Sequence, residues 1–136
     1  DLEWLNLWKI RMDNPLEDAE TLILDEKREI IEIGKKPKSY QQIQGQYMGL
    51  IKLRSDAVDN FIFEWEKLSQ MKKYKNKDIN KISMTEFLQY LIEKGITLNA
   101  SLTKGGWLEV DTIQDLKNYE NLISNDKLKS IINLEN

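Results

Sequence analysis

Gly105-Gly106-Trp107-Leu108-Glu109-Val110-Asp111-Thr112-Ile113-Gln114-Asp115 is the stretch on which the fold turns. Residues 107–111 read as a strand, in which successive side chains point to opposite faces. Trp107, Glu109 and Asp111 then share one face, while Leu108 and Val110 take the other, toward the core. The strand runs into Thr112-Ile113-Gln114-Asp115, which resembles a capping box, a hydroxyl followed three residues later by a carboxylate. Leu116, Tyr119, Leu122 and Ile123 continue the helix that starts there. A strand feeding a capped helix is an α/β unit, and open α/β sheets bind ligands beyond the carboxyl ends of their strands.

The flanking sequence extends this pattern. Leu2, Trp4, Leu5, Trp8 and Met12 predict a first helix over residues 2–12, ended by Asn14-Pro15 because the residue before a proline leaves the α region. Residues 20–24 and 29–33 predict two strands joined by the polar link 25–28 as a hairpin. Residues 34–39 form a loop, and residues 44–53 a third strand with Gly45 and Gly49 at bends. Val58, Phe61, Ile62, Trp65 and Leu68 recur at helical spacing. Ser83-Met84-Thr85-Glu86 is a capping box ahead of Phe87, Leu88, Leu91 and Ile92, with Gly95 as the stop. Residues 96–102 predict another strand, residues 72–81 a lysine-rich loop, and residues 127–133 a short terminal helix carrying Leu128, Ile131 and Ile132. Trp4, Trp8 and Trp65 lie on apolar helix faces and belong to the core. The order of elements allows α/β or α+β with a mixed sheet, and α/β, a mixed sheet flanked by helices, is the expected class.

Composition narrows the chemistry. At 136 residues the chain fits a single domain with a real core. Its net charge of −3, with acids and bases interleaved and no basic stripe, excludes nucleic acid as the expected partner. No apolar run is long enough to span a membrane, and no signal peptide is visible. The chain contains no Cys, which removes disulfides and thiolate metal sites and fits a cytoplasmic protein. It contains no His, which removes imidazole bases, triads and ligands. Any chemistry must use carboxylates, lysines, hydroxyls, backbone amides or a hard metal ion. Asp1 reads as a helix cap without an initiator Met or leader before it, the pattern expected of a fragment.

Three segments carry candidate site residues. Asp111, at the end of the strand, stands where a Mg²⁺ ligand is useful, because Mg²⁺ is held by one or two carboxylates plus substrate phosphates. The residues alone equally allow Asp111 to serve the helix cap and Glu109 to be a solvated side chain. Gly34-Lys35-Lys36-Pro37 places two cations on a loop leaving a strand, where they suit a phosphate or merely face water. Gln44-Gly45-Gln46-Tyr47-Met48-Gly49-Leu50 lets a ligand approach the backbone, with Gln46 and Tyr47 as hydrogen-bonding partners, or is simply a bulged strand.

Taken in order, residues 11–20, the Gly34-Lys35-Lys36-Pro37 loop, residues 44–50 and Trp107-Leu108-Glu109-Val110-Asp111-Thr112 resemble nucleotidyltransferases of the phosphocholine cytidylyltransferase type, relatives of sugar-1-phosphate nucleotidyltransferases. The similarity runs from residue 1 to about residue 124. It implies the C-terminal part of a Rossmann-like nucleotidyltransferase fold, with Mg²⁺ as cofactor held by Asp111 and with Lys36, the lysine before proline, on the acceptor's phosphoryl group. Lys35 stands where many sugar-1-phosphate enzymes carry Glu, which argues against a sugar hydroxyl there. Trp107 and Tyr47 would enclose a quaternary ammonium, with Glu109 adding negative charge, and Gln46 would complete the substrate contacts. The glycine-rich triphosphate loop and a second metal-binding Asp that open such enzymes have no counterpart in these residues. The implied partners are a nucleoside triphosphate, CTP first, and a phosphorylated small acceptor such as phosphocholine. A homo-oligomer is compatible with the sequence. A sugar-1-phosphate acceptor and a non-catalytic α/β assembly module are the alternatives.

Overall fold

The computed structural model describes residues 1–132. It contains four α-helices, α1 Trp4–Arg11, α2 Val58–Ser69, α3 Met84–Glu93 and α4 Ile113–Ser124. Two antiparallel hairpins accompany them: β1 Leu22–Leu24 with β2 Ile30–Ile33, and β3 Lys73–Tyr74 with β4 Lys77–Asp78.

The β1–β2 hairpin closes as the sequence predicts. Asp25 Oδ1 accepts from the amides of Lys27 and Glu29, both at 2.8 Å, which fixes the turn in the manner of an Asx motif. Each edge of the hairpin gains a short partner. Leu22 bridges Ile43 in parallel on one side, and Glu29 bridges Asn99 antiparallel on the other. The amide of Ile30 donates to Leu98 O (2.7 Å), and that of Ala100 to Arg28 O (2.9 Å). A mixed sheet therefore exists in outline, but only its central pair is regular. Residues 44–53, expected as a strand, make no ladder beyond the amide of Gln44 on Leu22 O and the pairing of Gln46 with Asp1. Residues 107–111, also expected as a strand, have no strand partner among the described residues. The lysine-rich segment differs in the other direction. It folds as the small β3–β4 hairpin, with Lys75 and Asn76 both at positive φ in its two-residue turn.

Helix ends follow their chemistry. Ser83 and Glu86 form a reciprocal capping box on α3, and Thr112 and Asp115 form one on α4. Asp1 does not act as the N-cap of α1. Its carboxylate instead accepts from the Glu3 amide (2.8 Å), the Gly105 amide (2.7 Å) and Trp107 Nε1 (2.9 Å), tying the start of α1 to the loop before α4.

Two apolar clusters result. In the first, α1 contributes Trp4, Leu7 and Trp8, α4 contributes Tyr119, and Ala19, Ile43 and Leu128 fill in around them. In the second, α3 lays Phe87, Leu88, Tyr90 and Leu91 against Leu22 and Ile33 of the hairpin and Leu68 of α2. Burying each such side chain contributes about 1.5–3 kcal/mol, so the two clusters rather than the thin sheet hold the molecule together. Trp65 was expected in the core. It stays partly exposed and touches it edge-on, with its ring 5.1 Å from that of Phe87. The terminal segment forms one turn of 3-10 helix at Leu128–Ser130, with Ile131 and Ile132 packed on the first cluster. The last residue of the predicted helix, Asn133, lies outside the described residues. No helix among the described residues is long and apolar enough to cross a membrane.

Candidate functional site

The buried face of α1 is Trp4, Leu7, Trp8 and Arg11, spaced i, i+3, i+4 and i+7. A charge thus closes an apolar stripe, and a buried charge needs partners. Its partners come from the far end of the sequence. Arg11 Nε donates to Asp115 Oδ1 (3.3 Å), one terminal nitrogen to Glu109 Oε2 and the other to Asp111 Oδ2. The Arg11 side chain is 2% exposed, against 4% for that of Asp115, 32% for Glu109 and 60% for Asp111. Its carbon also lies 5.2 Å from the centroid of the Trp8 ring, within cation–π range.

Local structure explains why the carboxylates converge. Asp115 occupies the third position of α4, where Oδ2 accepts from the amides of Asp111 (3.1 Å) and Thr112 (2.9 Å) and from the Thr112 hydroxyl (2.9 Å). The cap therefore folds residues 109–112 back over the start of the helix. Tyr119, one turn further on, donates to Glu109 O (2.9 Å), and Asn118 donates to Ile10 O (2.9 Å), which locks α4 to the end of α1. The inward face of α4 is accordingly Asp115, Tyr119 and Leu122, while Leu116 and Ile123 point to solvent.

Electrostatics follow the same arrangement. Burial alone would raise the Asp115 pKa, but hydrogen bonds from Thr112 and Arg11 outweigh it and hold the carboxyl below its ordinary range. Glu109 moves up: burial leads, the charges of Asp111 and Asp18 add to it, and Arg11 only partly offsets them. Burial pulls the Arg11 pKa down, yet attraction from Glu109 and hydrogen bonds to Asp115 and Asp111 raise it overall. Three carboxylates around one guanidinium leave the cluster with an excess of negative charge.

The structure brings together some of the residues singled out in the sequence and separates others. Glu109 and Asp111 are joined through Arg11. The expected alternation is not the reason, because Val110 is 54% exposed and Trp107 turns inward. The Trp107 ring lies 6.2 Å from that of Trp8, with its indole N–H on Asp1. Lys36 Nζ donates to Glu17 O, one residue before Asp18, whose Oδ2 accepts from Trp8 Nε1 (2.9 Å). Lys36 therefore sits beside the turn that borders the carboxylate cluster. Lys35 turns away and pairs with Glu32 on β2. The Gln46 side chain is occupied with backbone, donating to Glu20 O (2.6 Å) and Gly45 O (3.2 Å). Tyr47 packs against the second cluster, where burial raises its pKa, and lines a cavity of about 1100 Å³ between the hairpin, residues 50–54 and residues 96–103. Trp107 packs on the first cluster and Tyr47 against the second, and Asp1 links their segments, its amino group on Gln46 O and its carboxylate on the Trp107 indole.

Arg11, Asp115 and Asp18 are the members of the site that the sequence reading did not single out. Arg11 had a signal: it falls at i+7 from Trp4 and i+3 from Trp8, inside the apolar stripe of an otherwise ordinary helix.

No family model matches the chain, and no solved structure matches it. Over 117 residues it is 42% identical to a CTP:phosphoglutamine cytidylyltransferase of Campylobacter jejuni subsp. jejuni serotype O:2, an alignment covering 86% of this chain and 46% of the relative. The resemblance to nucleotidyltransferases read from the four blocks is thereby borne out. The chain spans about half the length of the relative it matches.

Proposed function

We propose that this chain is the acceptor- and metal-bearing part of a cytoplasmic cytidylyltransferase that transfers CMP from CTP to a phosphorylated small acceptor, releasing pyrophosphate. The observation that carries the reading is the carboxylate pair Glu109 and Asp111, seated on a buried guanidinium at the start of a capped helix, within a stretch 42% identical to a CTP-using enzyme. The fold would be the C-terminal part of a Rossmann-like nucleotidyltransferase, with the nucleotide's triphosphate held by a segment outside these residues.

The residues fit a Mg²⁺ ion of the expected kind. Among the described residues no group of three or more His, Cys, Asp or Glu could hold a metal ion by itself. Asp111 instead offers a largely exposed carboxylate, the hard oxygen ligand that Mg²⁺ takes when substrate phosphates complete its shell. When bound, Mg²⁺ would neutralise charge on the phosphoryl oxygens. The chain's own residues would do the rest. Asp111 holds its position at the cap, Glu109 presents a carboxylate to a cationic part of the acceptor, and Lys36 offers a cation to the acceptor's phosphate. An acceptor phosphate oxygen attacks the α-phosphorus in line, the bond to the β-phosphate bridging oxygen breaks, and pyrophosphate leaves. No protein nucleophile is needed, which suits a chain without Cys or His.

For the acceptor, the name of the relative favours a phosphorylated glutamine derivative, with phosphocholine as the second candidate. Either would bring nitrogen toward an acidic cluster. The test is pyrophosphate release by the intact enzyme with each nucleoside triphosphate and with phosphoglutamine, phosphocholine and a sugar 1-phosphate. CTP with one of the first two is expected to win. Asp111→Asn should lower kcat by on the order of 100-fold or more, since the missing charge acts mainly in the transition state. A near-normal kcat for Asp111→Asn at saturating Mg²⁺ would remove the metal assignment.

A further inference from the structure

We propose that Arg11 is the positioning residue of this site: its guanidinium fork sets where Glu109 and Asp111 present their free oxygens, and thereby sets the affinity for the divalent cation. The proposal rests on the reading of Asp111 as the metal ligand.

A brace between α1 and α4 needs less than the structure supplies. The contact of Arg11 with Asp115 is buried on both sides and joins the two helices by itself. The Asn118 bond to Ile10 O and the Tyr119 bond to Glu109 O reinforce the same joint. The further pairs to Glu109 and Asp111 involve carboxylates 32% and 60% exposed, and pairs open to solvent add little stability. Their consequence is geometric. Arginine presents its donors in a rigid planar fork, so fixing one edge on Asp115 fixes the other two. Asp115 is itself immobilised by four bonds, from the amides of Asp111, Thr112 and the Thr112 hydroxyl on Oδ2 and from Arg11 on Oδ1. Glu109 and Asp111 each give one oxygen to this fixed plane and keep the other. The guanidinium also separates two carboxylates that would repel each other at this spacing. Partners standing one step behind a metal ligand change affinity or activity by about 10–100-fold when removed.

The experiment compares parent, Arg11→Lys, Asp115→Asn and Asp111→Asn in the intact enzyme. Bound Mn²⁺, a paramagnetic stand-in for Mg²⁺, is counted by electron paramagnetic resonance with CTP present and the acceptor absent, so that phosphates complete the shell and no turnover occurs. The Mg²⁺ dependence of the rate and the melting temperature are measured in parallel. Lysine keeps the charge but loses the fork, so Arg11→Lys should weaken Mn²⁺ binding about tenfold or more and raise the half-saturating Mg²⁺ concentration to match. Its KM for CTP at saturating Mg²⁺ should change far less. A lower melting temperature with unchanged Mn²⁺ affinity would make Arg11 a brace and overturn the proposal. Should Arg11→Lys not fold, Asp115→Asn unseats the fork with Arg11, Glu109 and Asp111 unsubstituted, and also loosens the cap's hold on the Asp111 amide. It should weaken Mn²⁺ in the same direction, and unchanged binding there overturns the proposal equally. If Asp111→Asn binds Mn²⁺ as the parent does, the metal reading itself fails, a result distinct from failure at Arg11 alone.

Discussion

Replacing Gly34 by Ala should destabilise the chain by more than the same change at Gly49, and the structure gives the margin. Both glycines have left-handed backbones, with φ of +77° and +78°, so both substitutions carry the same conformational penalty of about 1–2 kcal/mol. Their surroundings differ. A Cβ on Gly34 would sit 2.8 Å from Thr85 Cβ and 3.0 Å from the Thr85 backbone carbon, whereas a Cβ on Gly49 meets nothing within 4 Å. Carbon atoms prefer separations of about 3.5–4.0 Å, so the loop or the start of α3 must shift by roughly 0.7 Å. Thr85 is buried and cannot swing aside, since the atoms approached are its Cβ and its backbone. Overpacking of this kind costs about 1–3 kcal/mol, which brings the Gly34→Ala total to about 2–5 kcal/mol. With a urea slope of about 2 kcal/mol/M, its midpoint should fall by about 1–2.5 M, against about 0.5–1 M for Gly49→Ala. Urea unfolding followed by tryptophan fluorescence measures both, and the slopes should stay at the parent value. Equal midpoints for the two variants would show that the approach of the loop to α3 is not as close as drawn. Lys35 and Lys36 follow Gly34 directly, so the displaced loop should also weaken acceptor binding.

Other outcomes follow from individual contacts. The Tyr90 hydroxyl donates to Glu64 (2.9 Å), and burial, helped by that carboxylate, pushes its pKa up to about 12. A folded pKa above the ordinary value of about 10 means stability fully present below about pH 10 and lost as pH rises toward 12. Tyr90→Phe should flatten the fall in urea midpoint across that window relative to the parent. Glu86 lies below its ordinary range: burial works against this but is outweighed by bonds from Lys77 and Ser83. Its stabilisation is present above about pH 4.3 and lost as pH falls through the depressed value, so Glu86→Gln, which keeps the capping box, should flatten the acid limb of the same titration. In the intact enzyme, Lys36→Ala should raise KM for the acceptor, because a phosphate contact present in both ground and transition states is lost; an unchanged KM in steady-state kinetics would remove Lys36 from the site. The 136-residue chain alone should release no pyrophosphate from CTP and acceptor above a blank, since its sequence shows no counterpart of the glycine-rich triphosphate loop that the resemblance implies.

Elements whose signals are local were legible in the sequence. The capping boxes at Ser83 and Thr112, the stop at Gly95 and the turn at residues 25–28 are set by side chains acting on backbone a few residues away. The strands at residues 44–53 and 107–111 were not, because a strand exists only if something pairs with it. Alternation in Trp107 to Asp111 looked like a pleat, yet the cap of α4 claims the amide of Asp111 and Asp1 claims the indole of Trp107. Those partners are local on one side and distant on the other, and periodicity carries neither.

The site shows the same division with a different lesson. Asp111 and Glu109 were legible from residue type and from their place before a capped helix, whereas the group that organises them was not. Arg11 lies 98 residues before Glu109 and 104 before Asp115, so no spacing rule links them. The available clue was negative: a cation at i+7 on the buried face of α1, where an apolar residue belongs. Such a residue either distorts its helix or finds anions, and a chain that buries it must bring those anions from elsewhere. The sequence supplies few places where several carboxylates cluster ahead of a helix, and Glu109-Val110-Asp111-Thr112-Ile113-Gln114-Asp115 is one. Pairing the misplaced cation with that cluster would have joined the two ends of the chain before any coordinates. It would also have turned Trp107 toward Trp8, because α1 cannot carry Arg11 to α4 without carrying its tryptophans there too.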